Sequence, residues 1–179
     1  SDQFGSVPLI EKAFSQEIRN IISRIYNWAI SLESPKSANF FLLALFNLLE
    51  EHSHTTKSGG WLRIVQNNVE TVNLIQNFKE RAQQMINDLC EIEIPINRGL
   101  WYAMPGDARD KRRINHMADL VITSPPYLNR HDYTRIFALE MALHFSETNQ
   151  ELIQIRKESL RSHVEARPPK FVSSQGYSP

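Results

Sequence analysis

The sequence predicts an α/β protein that is mostly helical by residue count, and three observations lead there. Apolar residues recur at three- and four-residue steps through the N-terminal half, the signature of amphipathic helices. A short β-branched run, Leu120-Val121-Ile122-Thr123, sits between turn signals and a further helical pattern, as a strand of a sheet would. The chain has 179 residues with 41% hydrophobic content, enough for one ordinary core and too little to demand two. One compact unit is therefore expected, with a helical region of three long helices over 1–98, an α/β region over 99–165 and an extended tail over 166–179.

The first helix follows from Phe14, Ile18, Ile21, Ile22, Ile25, Trp28, Ala29 and Leu32, which share one face, with Pro8 suited to its first turn. Ser34-Pro35 breaks the pattern, because the residue before a proline is pushed out of the helical region. After it, Phe40, Phe41, Leu42, Leu43, Leu45, Phe46, Leu48 and Leu49 form a second, more fully apolar helix, expected to be buried. Residues 51–66 read as a connector that turns at Ser58-Gly59-Gly60 and is anchored by Trp61, Leu62 and Ile64. A third helix runs from Val69 through Val72, Ile75, Phe78, Ala82, Met85, Ile86 and Leu89 to Cys90, before Pro95 and Gly99 end helical character.

The pattern then changes. Leu100-Trp101-Tyr102-Ala103-Met104 reads as a short strand closed by Pro105-Gly106. Leu120 to Thr123 reads as a second, buried strand, followed by one helix through Ile136, Leu139, Ala142, Leu143 and Phe145 and another from Glu147 to Leu160. From Arg161 onward three prolines and many polar residues predict extended chain.

Composition narrows the function classes. The formal charge is zero, so phosphate attraction by the chain as a whole is not the basis of any nucleic-acid binding. The distribution is uneven: residues 109–170 hold eleven Lys or Arg against eight Asp or Glu, and residues 1–108 hold nine against twelve. No run of eighteen apolar residues and only one cysteine fit a soluble protein of a reducing, cytoplasmic compartment with no membrane partner.

The chemistry is concentrated in Asp119-Leu120-Val121-Ile122-Thr123-Ser124-Pro125-Pro126-Tyr127. Two prolines cannot continue a central strand and force the chain out at its C-terminal end, where ligand crevices of open α/β sheets lie. With φ restricted at both, the carbonyls of Ser124 and Pro125 can be aimed at a ligand amino group, and Tyr127 can present its ring beside them. An exocyclic amine on a planar base suits that arrangement, since it offers two N–H donors and a face to stack. A base within a duplex is out of reach, so the nucleotide must be flipped.

Ser-Pro-Pro-Tyr after an apolar strand resembles the catalytic motif of amino DNA methyltransferases, and its serine form looks most like the cytosine-N4 group. Gly106-Asp107-Ala108-Arg109, eighteen residues earlier, is similar to the family segment after the third sheet strand. Leu128 to Arg135 and Ser162-His163-Val164 resemble further stretches of bacterial DNA methylases, so the likeness is specific from about residue 100 to 165. The resemblance implies a partial Rossmann-like sheet and transfer of a methyl from S-adenosylmethionine to an exocyclic amine of flipped double-stranded DNA, in a bacterial restriction-modification setting. Cytosine N4 is favoured, and adenine N6 stays open. Ser124, Pro125, Pro126 and Tyr127 would line the target-base site and act in catalysis. Asp107 and the Ala108 amide would touch the cofactor adenine, and Asn129, Arg130, Tyr133 and Arg135 would contact DNA.

The sequence departs from the family in one respect. The donor-binding loop, an Asp-Pro-Phe-x-Gly-x-Gly turn between strand and helix, is made by none of the six glycines, Gly5, Gly59, Gly60, Gly99, Gly106 and Gly176. The expectation is an internal or truncated portion of a longer methyltransferase, inactive when isolated. A split enzyme whose second polypeptide carries the loop, and a degenerate copy, are the alternatives.

Plainer readings compete at each position. Asp107 could cap the next helix. Arg109-Asp110-Lys111-Arg112-Arg113 reads as a solvated loop rather than a phosphate site. His52-x-His54 has metal-like spacing without a further Cys or acid cluster, so no metal site is expected. Trp28 and Trp61 are expected to be core or anchor residues, and Cys90 inert packing. A catalytically inactive remnant or helical partner- or DNA-binding module is the competing function, and RNA or protein amide-nitrogen methylation a lesser one.

Overall fold

The computed structural model describes residues 7–58, 61–65, 73–92, 119–123 and 132–158. Pro8 at the first helical position opens α1 (Pro8–Ala13), as its fixed φ favours. Phe14 is extended (φ −131°, ψ 140°), and the Ser15 hydroxyl accepts from the Ile18 amide at 3.4 Å to start α2 (Gln16–Ile30). The single helix expected from Phe14 to Leu32 with Pro8 in its first turn is thus two helices. The apolar spacing is continuous, but a serine that satisfies an orphan amide restarts the chain in a new direction. Ile18, Ile22, Ile25 and Ala29 form the buried face of α2.

Ser34 caps α3 (Pro35–Phe46) through the Ser37 amide at 3.3 Å, with Pro35 at its start. Leu42, Ala44 and Leu45 are buried, as are Leu48 and Leu49 just beyond the helix, whereas Leu43 faces solvent. The segment read as an irregular connector is an antiparallel hairpin. Its strands β1 (Thr55–Ser58) and β2 (Trp61–Ile64) pair Thr55 with Ile64 and Ser58 with Trp61. A two-residue Gly-Gly link between β-compatible runs is the sequence signal of such a hairpin. The His54 amide donates to the Ala13 carbonyl at 2.7 Å and the Val65 amide to the His54 carbonyl at 2.8 Å, tying the hairpin to the end of α1.

Helix α4 (Leu74–Glu91) buries Leu74, Phe78 and Ala82, one residue per turn. Val69 and Val72, assigned to the same helix, lie outside the described residues. Beyond Ala82 the apolar stripe emerges into solvent at Ile86 and Leu89, and Cys90 is exposed. Cys90 is therefore not packed in a core, because the last turns of α4 extend past the helices that cover its beginning.

Leu120 to Thr123 forms no strand, and Leu120, Val121 and Ile122 are 75%, 75% and 88% exposed. The buried strand expected there is absent. β-propensity expresses packing against neighbours, and among the described residues the only sheet is the β1–β2 hairpin. The companion strand expected at Leu100–Met104 lies outside the described residues. The described architecture is thus mostly helical with a small two-stranded antiparallel sheet.

The helix expected after the proline motif is divided at Phe137 (φ −99°, ψ 28°) into α5 (Tyr133–Ile136) and α6 (Ala138–His144). Helix α7 (Asn149–Glu158) follows. Its start is fixed reciprocally, with the Glu151 amide donating to Thr148 Oγ1 at 3.2 Å and the Glu151 carboxylate accepting from the Glu147 amide at 2.7 Å.

One core holds these pieces together. Ile10, Ile22, Leu45, Leu48, Leu49 and Leu74 are almost wholly buried, and Leu139 and Ala142 of α6 belong to the same cluster. Each of the leucine and isoleucine side chains contributes roughly 1.5–3 kcal/mol of transfer free energy. The C-terminal helices are therefore anchored on the N-terminal ones by shared burial, not merely tethered to them.

Candidate functional site

The site is built from the segment that follows the double proline. Ser124, Pro125, Pro126, Tyr127, Asn129 and Arg130 lie outside the described residues, as do Asp107 and Ala108. Tyr133 and Arg135 are described, and the structure brings them together as the first and third residues of α5. Tyr133 is exposed, and Arg135 is three-quarters covered.

Asp132 organises this corner. Its side chain is only 10% exposed, and its two oxygens have separate duties. Oδ1 accepts from the Thr134 amide at 3.1 Å and from the Thr134 hydroxyl, capping α5. Oδ2 receives Arg135 Nε at 3.3 Å and Arg156 Nε of α7 at 3.0 Å. Two guanidinium groups thus share one carboxylate. Charge-assisted hydrogen bonds of this kind are the stronger ones, and a mostly buried carboxylate requires them.

The hairpin closes the other side. Lys57 of β1 donates to Glu140 Oε1 of α6 at 3.1 Å, lies 3.8 Å from Glu50 and stands 4.8 Å from the centre of the Phe137 ring. Its own amide donates to the Glu50 carboxylate at 2.7 Å. The break between α5 and α6 is therefore gripped by a cation that meets an aromatic face and a carboxylate at once. Further along α6, His144 Nδ1 shares a 2.9 Å hydrogen bond with the Tyr26 hydroxyl of α2, and its ring meets those of Phe46 and Phe145. Burial pushes the Tyr26 phenol above its ordinary pKa.

The histidine pair singled out for its spacing has another role. His52 is buried, and its Nε2 accepts from the Asn77 side-chain amide at 3.2 Å. Burial lowers its pKa, opposed in part by the nearby Glu51 carboxylate. It therefore prefers the neutral form and acts as a core residue joining the turn after α3 to α4. Among the described residues no group of three His, Cys, Asp or Glu could hold a metal ion. Trp28 serves as an anchor, with its ring edge-on to Phe41 at 4.8 Å and Phe78 at 6.2 Å, while 45% of it remains exposed.

With the geometry of this corner established, comparison with known proteins identifies its lineage. The chain is 27% identical over 195 aligned residues to the Type II methyltransferase M.BsoBI of Geobacillus stearothermophilus, a match covering 91% of this chain. The chain is homologous to Type II DNA methyltransferases. A shorter stretch of 54 residues, 30% of the chain, is 43% identical to the Type II methyltransferase M.AvaI of Nostoc sp. and to that of Anabaena variabilis. The chain spans 38% of the length of M.BsoBI and 11% of M.AvaI in these alignments. No family model matches, and no solved structure matches. Among the described residues no helix is long and apolar enough to cross a membrane.

For a Type II methyltransferase relative, Asp132, Arg156, Lys57 and Glu140 are the residues that sequence reasoning missed. Asp132 carried a local signal, an acid with a threonine two places on at the start of a helix. Arg156 carried none, since its partner is 24 residues away, and neither did the pairing of Lys57 with Glu140 across 83 residues.

Proposed function

We propose that this chain carries the target-base pocket of a DNA amino-methyltransferase that modifies an exocyclic amine, cytosine N4 in preference to adenine N6, of a base flipped from double-stranded DNA. The observation that carries the reading is the homology over 91% of the chain, taken with Ser124-Pro125-Pro126-Tyr127 in its sequence. In this reading residues 99–165 form part of a Rossmann-like sheet unit, residues 1–98 are its helical companion and 166–179 an extended tail.

The chain's own residues then act by placement. The Ser124 and Pro125 carbonyls accept from the two amine N–H groups and hold the nitrogen with its lone pair free, while Tyr127 stacks on the base. When bound, S-adenosylmethionine supplies an electrophilic methyl on its sulfonium sulfur. Asp107 can accept from an adenine amine and the Ala108 amide can donate to a ring nitrogen, so this pair suits the adenine end of the donor. The glycine turn for the methionine end is absent from the 179 residues, and in this reading another segment or polypeptide provides it. No covalent enzyme intermediate is needed, so the work is positioning. Asn129, Arg130, Tyr133 and Arg135, which follow the motif directly, contact the DNA backbone.

Tyr127→Ala, introduced into the complete enzyme, is expected to abolish most methyl transfer to DNA while leaving the circular dichroism spectrum unchanged. Near-normal methylation by this variant overturns the assignment.

A further inference from the structure

We infer that Lys57 of the β1–β2 hairpin is a positioning residue for the target-base pocket, holding the bend between α5 and α6 and with it the course of the chain that leaves Tyr127; the inference rests on the reading just given, in which the proline motif lines that pocket. The bend lies at Phe137, ten residues beyond Tyr127. The Phe137 amide donates to the Tyr133 carbonyl at 2.9 Å and closes α5, while the Phe137 carbonyl accepts from the Met141 amide at 2.9 Å and opens α6. No side chain caps the start of α6, and Phe137 is 46% exposed, so neither a cap nor burial alone fixes the bend.

Lys57 supplies what these leave out. Its ammonium donates to Glu140 Oε1 in the first turn of α6 at 3.1 Å and stands 4.8 Å from the centre of the Phe137 ring. One cation thus engages both the residue at the bend and the helix behind it. Glu140 depends on that contact. Its side chain is 14% exposed, and its Oε2 is buried with no hydrogen-bond partner among the described residues.

Lys57 itself stands on a firm base. Its amide donates to Glu50 Oε1 at 2.7 Å and its ammonium lies 3.8 Å from Glu50 Oε2, so one carboxylate meets both ends of the residue. Two positions earlier Thr55 is buried, and its hydroxyl shares a 2.6 Å hydrogen bond with that of Ser53. The His54 amide ties the same strand to the end of α1, and α5 packs against β2. The stretch from the proline motif to α6 is therefore restrained at one end by the fixed φ of Pro125 and Pro126 and at the other by Lys57. Methyl transfer by placement demands such restraint, because a misplacement of about 1 Å can cost about a hundredfold in rate. Without the cation the bend is free to open, and Tyr127 loses one of the restraints on its approach to the base.

The test is steady-state methyl transfer by the complete enzyme to DNA from a methylation-free bacterial host. Lys57→Met is expected to lower kcat roughly tenfold while leaving the KM for S-adenosylmethionine unchanged. Lys57→Arg, which can still meet both ring and carboxylate, should keep most of the rate. Glu140→Gln added to Lys57→Met removes the stranded carboxylate and should recover stability in a thermal melt without recovering kcat, a separation that a merely structural role does not produce. Ile22→Val, a core substitution on α2 that touches none of these contacts, is the control for lost stability and should keep its kcat. With Tyr127→Ala inactive, the inference is overturned by a normal kcat in Lys57→Met, by an equal loss in Lys57→Arg or Ile22→Val, or by recovery of kcat together with stability in the double variant. If Tyr127→Ala methylates DNA normally, the reading of the pocket fails and carries this inference with it.

Discussion

Leu139→Ala tests whether the helices after the proline motif and the N-terminal helices share one core. Leu139 of α6 is wholly buried in the cluster that contains Ile10, Ile22 and Leu45. The substitution removes three carbons, about 2.4 kcal/mol at roughly 0.8 kcal/mol for each buried methylene. The residual cavity adds to this, giving about 3–4 kcal/mol in all. With a urea dependence of about 2 kcal/mol per molar, the midpoint should fall by roughly 1.5–2 M. The reporter is Trp28, which packs against Phe41 and Phe78 in the N-terminal helices. With Trp61 and Trp101 replaced by Phe, its fluorescence should follow the same displaced transition as the helical circular dichroism signal. A Trp28 transition that stays in place while the helical signal splits into two would refute the shared core.

The remaining predictions concern single groups. His52 has a folded-state pKa below its unfolded value, so its contribution to stability is fully present above about pH 6.5 and is lost as the pH falls through that value toward the folded pKa. Stability measured by urea unfolding should therefore drop more between pH 7 and pH 5 in the unaltered chain than in His52→Gln; equal pH dependence in the two would remove the buried histidine as its cause. Lys57→Met removes the partner of Glu140, a mostly covered carboxylate, at a cost of about 1–2 kcal/mol. Glu140→Gln in the same chain should recover part of that loss in a thermal melt, and no recovery would mean the ion pair is not what Lys57 contributes. Exposed Cys90 should react fully with a thiol-specific chromogen under native conditions, whereas a thiol that reacts only after unfolding would place it in packing.

Much of the framework was legible in the sequence because its signals are local. Pro8, Ser34 and Pro35 mark helix starts where the structure has them, and the spacing of Ile18, Ile22, Ile25 and Ala29 gave the buried face of α2. The break at Ser15 was hidden because Phe14 keeps the apolar rhythm while its backbone leaves the helix. The hairpin was missed because Thr55-Thr56-Lys57-Ser58 shows no apolar alternation, although Gly59-Gly60 gave the turn. Leu120 to Thr123 shows the reverse error, with high β-propensity and no strand, since pairing depends on residues remote in the chain. After the proline motif, the contacts that hold Tyr133 and Arg135 in place were not legible in the sequence. Asp132 meets Arg156, and Lys57 meets Glu140, only once the helices have packed.

The target amine is the central claim, and nucleoside mass spectrometry tests it most directly. DNA from a methylation-free bacterial host expressing the complete enzyme is digested and compared with DNA from a host expressing Tyr127→Ala. The account predicts N4-methylcytosine in the first and almost none in the second. Methyl groups found only at cytosine C5, or equal amounts of N4-methylcytosine in both, would contradict it.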